Sequence, residues 1–157
     1  MRVPDSRGSK MRIVKFALIA LCILVVLAIS ALAYMGMQSR GGSAPGLVGG
    51  QLSACPDKPN CVSSEAGTPE DKLIEPFSLD AWANLPAIIE DLGGDVTSQR
   101  AAYLSAEFTS SIFGFVDDVE FRLTETNVQV RSGSRVGHSD AGVNAKRVAE
   151  LRAQLSE

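Results

Sequence analysis

From Ala102 to Val130 apolar side chains recur at every second position, and this alternation constrains the fold more than any other feature of the chain. Ala102, Leu104, Ala106 and Phe108 are apolar at even positions, with Tyr103, Ser105 and Glu107 between them. Phe115, Val119, Phe121 and Leu123 are apolar at odd positions, set against Asp118, Glu120, Arg122 and Thr124; Val128 and Val130 continue the pattern. A period of two marks antiparallel strands with one covered face. Val96 begins a further, weakly marked strand. The expectation is an α+β domain whose antiparallel sheet has about four strands.

The polar turn Thr124-Glu125-Thr126-Asn127 predicts the register of the last hairpin. Leu123 faces Val128 and Phe121 faces Val130, which puts Glu120 opposite Arg131 on the outer face and Asp117 opposite Ser134 on the inner one. Opposite charges across an antiparallel pair are worth about 0.2–1 kcal/mol. Asp117 is the anomaly, because its parity places a carboxylate among apolar neighbours. Such a group finds donors or takes up a proton, and Ser132 and Ser134, of the same parity, are the expected donors.

Phe16 to Met37 is a run of 22 uncharged residues, and about 20 suffice to cross a bilayer core as a helix. Residues 1–15 carry five basic residues and one acidic residue, whereas only Arg40 closely follows the run. The positive-inside bias then leaves residues 1–15 in the cytoplasm and sends the remainder across. The run reads as a single-pass anchor in the inner membrane with a periplasmic domain. Two other readings fit the same residues: a signal peptide cleaved after Ala31-Leu32-Ala33, and lipidation at the lipobox-like Leu52-Ser53-Ala54-Cys55, which lies far beyond the run. All three deliver residues 38–157 to the same compartment. Those residues hold ten Lys and Arg against seventeen Asp and Glu. That acidic balance argues against nucleic acid as a partner.

Gln38 to Gly50, with five glycines and one proline, reads as a flexible tether of about 20 Å. Residues 51–157 then form the folded domain. Cys55 and Cys61 bracket a short loop, and in an oxidising compartment they are expected to form a disulfide, with free thiols or metal ligation as the other readings. Cys22, inside the apolar run, is a small hydrophobe. Residues 63–71 read as a polar loop.

Two helices flank the sheet. Leu79, Trp82, Leu85, Ile89 and Leu92 recur at helical spacing behind an N-cap at Ser78, and Pro86 is expected to kink that helix or divide it. The terminal helix, capped by Ser139 or Asp140, carries Asn144, Val148, Leu151 and Leu155 on one face and a Lys146–Glu150 pair on another. Lys146 and Arg147 near its start oppose the helix dipole, which implies that they meet an acidic strand or a bound anion.

Three stretches, CPDKPNCVSS (55–64), FGFVDDVEF (113–121) and VRSGSRVGHSDAGVNAKR (130–147), resemble the family known as domain of unknown function 1499, over roughly Leu52 to Leu155. The resemblance implies an envelope-targeted protein, with relatives in plastid-bearing organisms, and it assigns no catalytic residue. Ala145 departs from it, standing where a larger, often basic residue is expected.

The candidate site is the end of the last strand and the start of the terminal helix. Arg131, Arg135, His138, Ser139, Asp140 and Arg147 are placed to grip an anion, as a helix N-terminus and arginine forks do. The competing reading makes the same arginines a structural staple, paired with Asp117, Asp118, Glu120 and Asp140. Hydrolase chemistry has weaker support. His138, Ser139 and Asp140 are adjacent, whereas a triad requires converging side chains; Asp117 and Asp118 fall on opposite strand faces. A carboxylate pair with Glu107 or Glu120 has no positive support, and the acidic run does not fit a calcium loop. No cofactor and no metal are expected. The function read from the residues is a non-enzymatic envelope module that binds a lipid, glycan or protein partner, or one that serves assembly alone. An envelope hydrolase acting on lipid or glycan is the alternative. A cavity under the sheet bounded by Leu104, Phe108, Phe121 and Trp82 would favour a lipid binder.

Overall fold

The computed structural model describes residues 6–155, so the basic residue Arg2 and the rest of residues 1–5 lie outside it. It divides into two units, Met1–Tyr34 and Met35–Glu157. The described residues of the first belong to helix α1 (Ser6–Arg40), which among the described residues contains one segment long and apolar enough to cross a membrane.

The second unit is α+β. Its main sheet is antiparallel, in the order β3 (Cys61–Ser63), β7 (Val128–Ser134), β6 (Val116–Leu123), β5 (Tyr103–Thr109) and β4 (Asp95–Arg100). The anticipated β6–β7 register holds at every pair: Leu123 with Val128, Phe121 with Val130, Glu120 with Arg131 and Asp117 with Ser134. The fifth strand, β3, is only three residues long, too short for a period to show. It pairs with β7 through Cys61–Gly133 and Ser63–Arg131, directly after the Cys55–Cys61 disulfide.

One face of the sheet carries the core. Leu104, Ala106, Val119, Phe121, Val128 and Val130 are buried there. They pack against α2 (Leu85–Asp91) and α3 (Val143–Gln154), which contribute Leu85, Ile89, Val148 and Leu151. Pro86 divides the first helical segment as anticipated: Leu79–Ala83 is a 3-10 turn, and Pro86 lies in the first turn of α2, where its missing N–H costs no bond. The 3-10 pitch shifts the stripe. Ala81 is buried, Leu79 is 43% exposed, and Trp82 packs against the core only in part. Ser78 makes no side-chain capping bond to that turn. The four residues expected to bound a cavity instead fill the core or pack against it.

The opposite face departs from expectation. Tyr103, Ser105, Asp118, Glu120 and Arg131 all have outer parity, yet each is at most 9% exposed. What covers them is the stretch from Gly36 to Leu52, including the small hairpin β1 (Leu47–Val48) and β2 (Gln51–Leu52). Helix α1 continues to Arg40, beyond the apolar run, and its last turn is seated on the loop between β5 and β6. A side chain at Gly36 would overlap the Phe113 carbonyl, and one at Gly114 would overlap the Arg40 guanidinium. Ser39 is 1% exposed; its hydroxyl donates to the Gly36 carbonyl at 2.7 Å and accepts the Val116 N–H at 3.0 Å.

The seat at Gly36 has no room for a methyl group. Gly36→Ala is expected to destabilise the domain by about 1–3 kcal/mol through overpacking. Hydrogen exchange at the Val116 amide, measured in the detergent-solubilised chain, is expected to accelerate relative to amides of β7.

Candidate functional site

Helix α3 and the end of β7 are adjacent in the chain, but the arginines they supply go to opposite faces of the sheet. The reason is parity on β6. Asp117 points toward α3, and Asp118 points away from it.

On the α3 side, Arg147 Nη2 donates to Asp117 Oδ2 at 2.8 Å. Its guanidinium also stacks over Phe108, 4.8 Å from the ring centre, a favourable place for a cation. This corrects the assignment of Ser132 and Ser134 as donors to Asp117. Ser132 Oγ instead donates to Asn144 Oδ1 at 2.6 Å, and Ser134 Oγ accepts from Asn144 Nδ2 at 3.0 Å. The helix lies over this face, so Arg147, almost one turn beyond Asn144, reaches the carboxylate directly. The dipole conflict at the start of α3 resolves the same way: Arg147 meets Asp117, and Lys146 pairs with Glu150 at 3.4 Å in solvent.

On the other side, Arg135 is the hub. Its Nε and Nη2 form a fork on Asp118, at 2.8 and 2.6 Å, and Nη2 also donates to Glu107 at 2.5 Å. Its Nη1 donates at 3.1 Å to the carbonyl of Ser39 in the last turn of α1, which also accepts the Gly42 N–H at 3.4 Å. The side chain of Arg135 is 7% exposed and that of Asp118 is 3% exposed. The Asp118 hydrogen bond, working against burial, raises the Arg135 pKa further and keeps the guanidinium charged. Next to it, Glu120 accepts from Arg131 Nη1 at 3.1 Å, from the Tyr103 hydroxyl at 2.8 Å and from the Gly46 N–H at 2.7 Å. Glu120 is therefore opposite Arg131 as anticipated, but within a closed layer and 0% exposed. Burial pushes its pKa up despite these three donors, and burial followed by the Glu120 bond pushes Tyr103 up as well.

A third buried pair lies in the stretch read as a plain polar loop. Glu65 accepts from Arg122 Nε and Nη2, at 2.7 and 2.8 Å, and from the Leu52 N–H at 3.0 Å. Burial opposes its ionisation, but the Arg122 and Leu52 bonds outweigh burial and lower its pKa. No parity or motif marks Glu65. The only sequence signal is an unpaired Arg122 at an outer position of β6.

Of the remaining candidates, His138 and Ser139 are exposed. The N-cap of α3 is Gly142 rather than Ser139 or Asp140; Asp140, two residues earlier, accepts the Asn144 N–H at 2.9 Å and the Gly142 N–H at 3.0 Å. Burial opposes its ionisation, and the donors from Asn144 and Gly142 hold its pKa below the ordinary value. Arg131, Arg135 and Arg147 each have a carboxylate partner and do not converge on one point. Among the described residues no cluster of three or more His, Cys, Asp or Glu has the arrangement of a metal centre.

Two clefts open on the tether side of the sheet. The larger, about 600 Å³, runs between residues 43–47 and strands β4 and β5; Ser43, Thr97, Ser98, Arg100, Ala101 and Glu107 are among the residues that line it. A smaller one, about 320 Å³, lies between Gly42–Pro45 and the Asp118–Arg135 fork.

Arg135→Ala strands Asp118 and Glu107 without their cation and is expected to cost about 3–5 kcal/mol, read as a fall in thermal stability of the solubilised chain. Glu65 provides a test by pH. Its folded-state pKa lies below its unfolded one, so its stabilising contribution is complete above the ordinary glutamate value of about 4.3 and is lost as pH falls through the depressed value. Glu65→Gln is therefore expected to lower the melting temperature most at neutral pH, with the gap closing toward pH 3. Glu120 has the opposite sign: its elevated pKa makes the folded state bind the proton more tightly, so its contribution declines as pH rises from the ordinary value through the raised one.

Comparison with known proteins agrees with the motifs. No curated protein and no solved structure matches the chain. The profile of a family described as "Protein of unknown function (DUF1499)" matches residues 51–155, a span that contains the disulfide loop, the whole main sheet and α3, and the chain belongs to that family.

Proposed function

We propose that this protein is a non-enzymatic binding module of the cell envelope, held in the inner membrane by residues 16–37 with its domain on the periplasmic side. The observation that carries the reading is the cleft of about 600 Å³ beside β4. One wall is the Ser43–Leu47 segment that follows α1, and the other is the edge of the sheet. The recess therefore exists only while the chain leading from the apolar helix is docked. Its lining combines the hydroxyls of Ser43, Thr97 and Ser98 with the Arg100 cation. That chemistry suits a hydroxyl-rich or phosphorylated group, such as a glycan or a lipid headgroup. Arg131 and Arg135 are read as the scaffold beneath the docked segment, since each is already neutralised by an acidic partner. An export route that ends outside the cytoplasm also agrees with the Cys55–Cys61 disulfide.

The test is native mass spectrometry of the full chain extracted from host envelopes in lipid nanodiscs. The wild type is expected to carry a bound glycan or lipid beyond the bulk lipid composition. Ala101→Trp, which places an indole in the cleft from an exposed position, is expected to lose it while melting at the same temperature. A wild-type chain that emerges bare, or an adduct retained by Ala101→Trp, would overturn the reading.

A further inference from the structure

We infer that the loop between β5 and β6, residues 110–115, is a second membrane contact that rests in the bilayer interface beside the anchor. The inference depends on the reading of residues 16–37 as a retained anchor.

The loop Ser110-Ser111-Ile112-Phe113-Gly114-Phe115 carries no charge. It is held in a defined shape: the Ser110 N–H donates to the Phe115 carbonyl at 2.8 Å, the Phe115 N–H donates to Ser110 Oγ at 2.9 Å, and the Phe113 and Phe115 rings meet edge to face at 6.1 Å. At its tip Ile112 is 83% exposed, the most exposed of the large apolar side chains in residues 10–155. A hydrogen-bonded, uncharged turn that presents an isoleucine flanked by two half-buried aromatics is costly in water and suited to the boundary between headgroups and acyl chains.

The occupant follows from where the loop is attached. The Phe113 carbonyl lies against Gly36, and Gly36 is within one residue, about 1.5 Å of helix rise, of the last apolar residue of the run, Met37. A group fastened to that turn is at the level where the apolar run ends. Met37 is itself 67% exposed. Arg40, exposed on the next turn, donates its Nε to the Gly114 carbonyl at 3.4 Å, leaving a cation at the height of the lipid phosphates, as interfacial arginines do.

The experiment uses the full chain with Cys22→Ala, the disulfide intact, and a single added cysteine carrying an environment-sensitive fluorophore, in nanodiscs containing lipids with a nitroxide near the headgroup. Three positions are compared: Ile112→Cys, Met37→Cys as the anchor, and Glu125→Cys in the turn at the far end of β6. Ile112 and Glu125 lie on turns, so the labels leave the core intact; an unchanged melting temperature checks this. The expected result is a blue-shifted, quenched signal at positions 37 and 112 and an unquenched one at 125. Quenching at 37 without quenching at 112 overturns the loop contact and leaves the anchor standing. Absence of quenching at 37 overturns the anchor and the loop contact together.

Discussion

The fold depends on Arg135. One guanidinium ties the end of β7 to Asp118 on β6, to Glu107 on β5 and to the Ser39 carbonyl in the last turn of the helix that leads into the domain. Burying a charge in this way is expensive, and a fully paired cluster is near neutral compared with an apolar core of the same shape. Its consequence is specificity. The placement of residues 39–46 satisfies Arg135 and Glu120 together, with Ser39 supplying an acceptor and Gly46 a donor.

That pairing explains an otherwise odd sheet. Its outer face is polar in sequence, as a solvated face would be, but it is covered. The covering layer is largely backbone. Leu52 is buried beneath it, but this glycine-rich stretch otherwise offers mainly amides and carbonyls to the side chains below, and buried main-chain groups must find partners. Polar strand residues beneath exposed backbone solve both problems at once. On the other face Arg147 and Asp117 form a smaller version of the same arrangement, with Asn144 joining α3 to Ser132, to Ser134 and to the Asn60 carbonyl at the start of β3.

Much of this is legible in the amino-acid sequence, and the divide between what is and is not is physical. Side-chain parity is written in the strands themselves, so the β6–β7 register, the inward Asp117 and its opposition to Ser134 followed from counting. Pro86 announced a break because its ring excludes one backbone conformation and one donor. The partner of Asp117 was less accessible, since choosing between nearby serines and a helix-borne Arg147 needs the height of the helix above the sheet. The second covered face was hidden altogether. Its donors and acceptors are main-chain groups, which every residue carries and no motif distinguishes. Glu65 escaped for a related reason: a carboxylate between irregular segments has no periodicity to contradict. Strand β3 was too short to alternate.

The disulfide has a consequence for the edge of the sheet. Cys61 opens β3, and Asn60 beside it receives the Ser134 N–H at 2.9 Å, so the covalent link holds the strand that borders β7. The three residues of β3 pairing are extended by Asn60 with Ser134 and by Ser64 with Val130, and the disulfide adds a covalent tie to that short edge. Were the strand displaced, the outer side of β7 would be an open sheet edge, a template on which a second copy can add. The covalent link thus guards against strand exchange between copies.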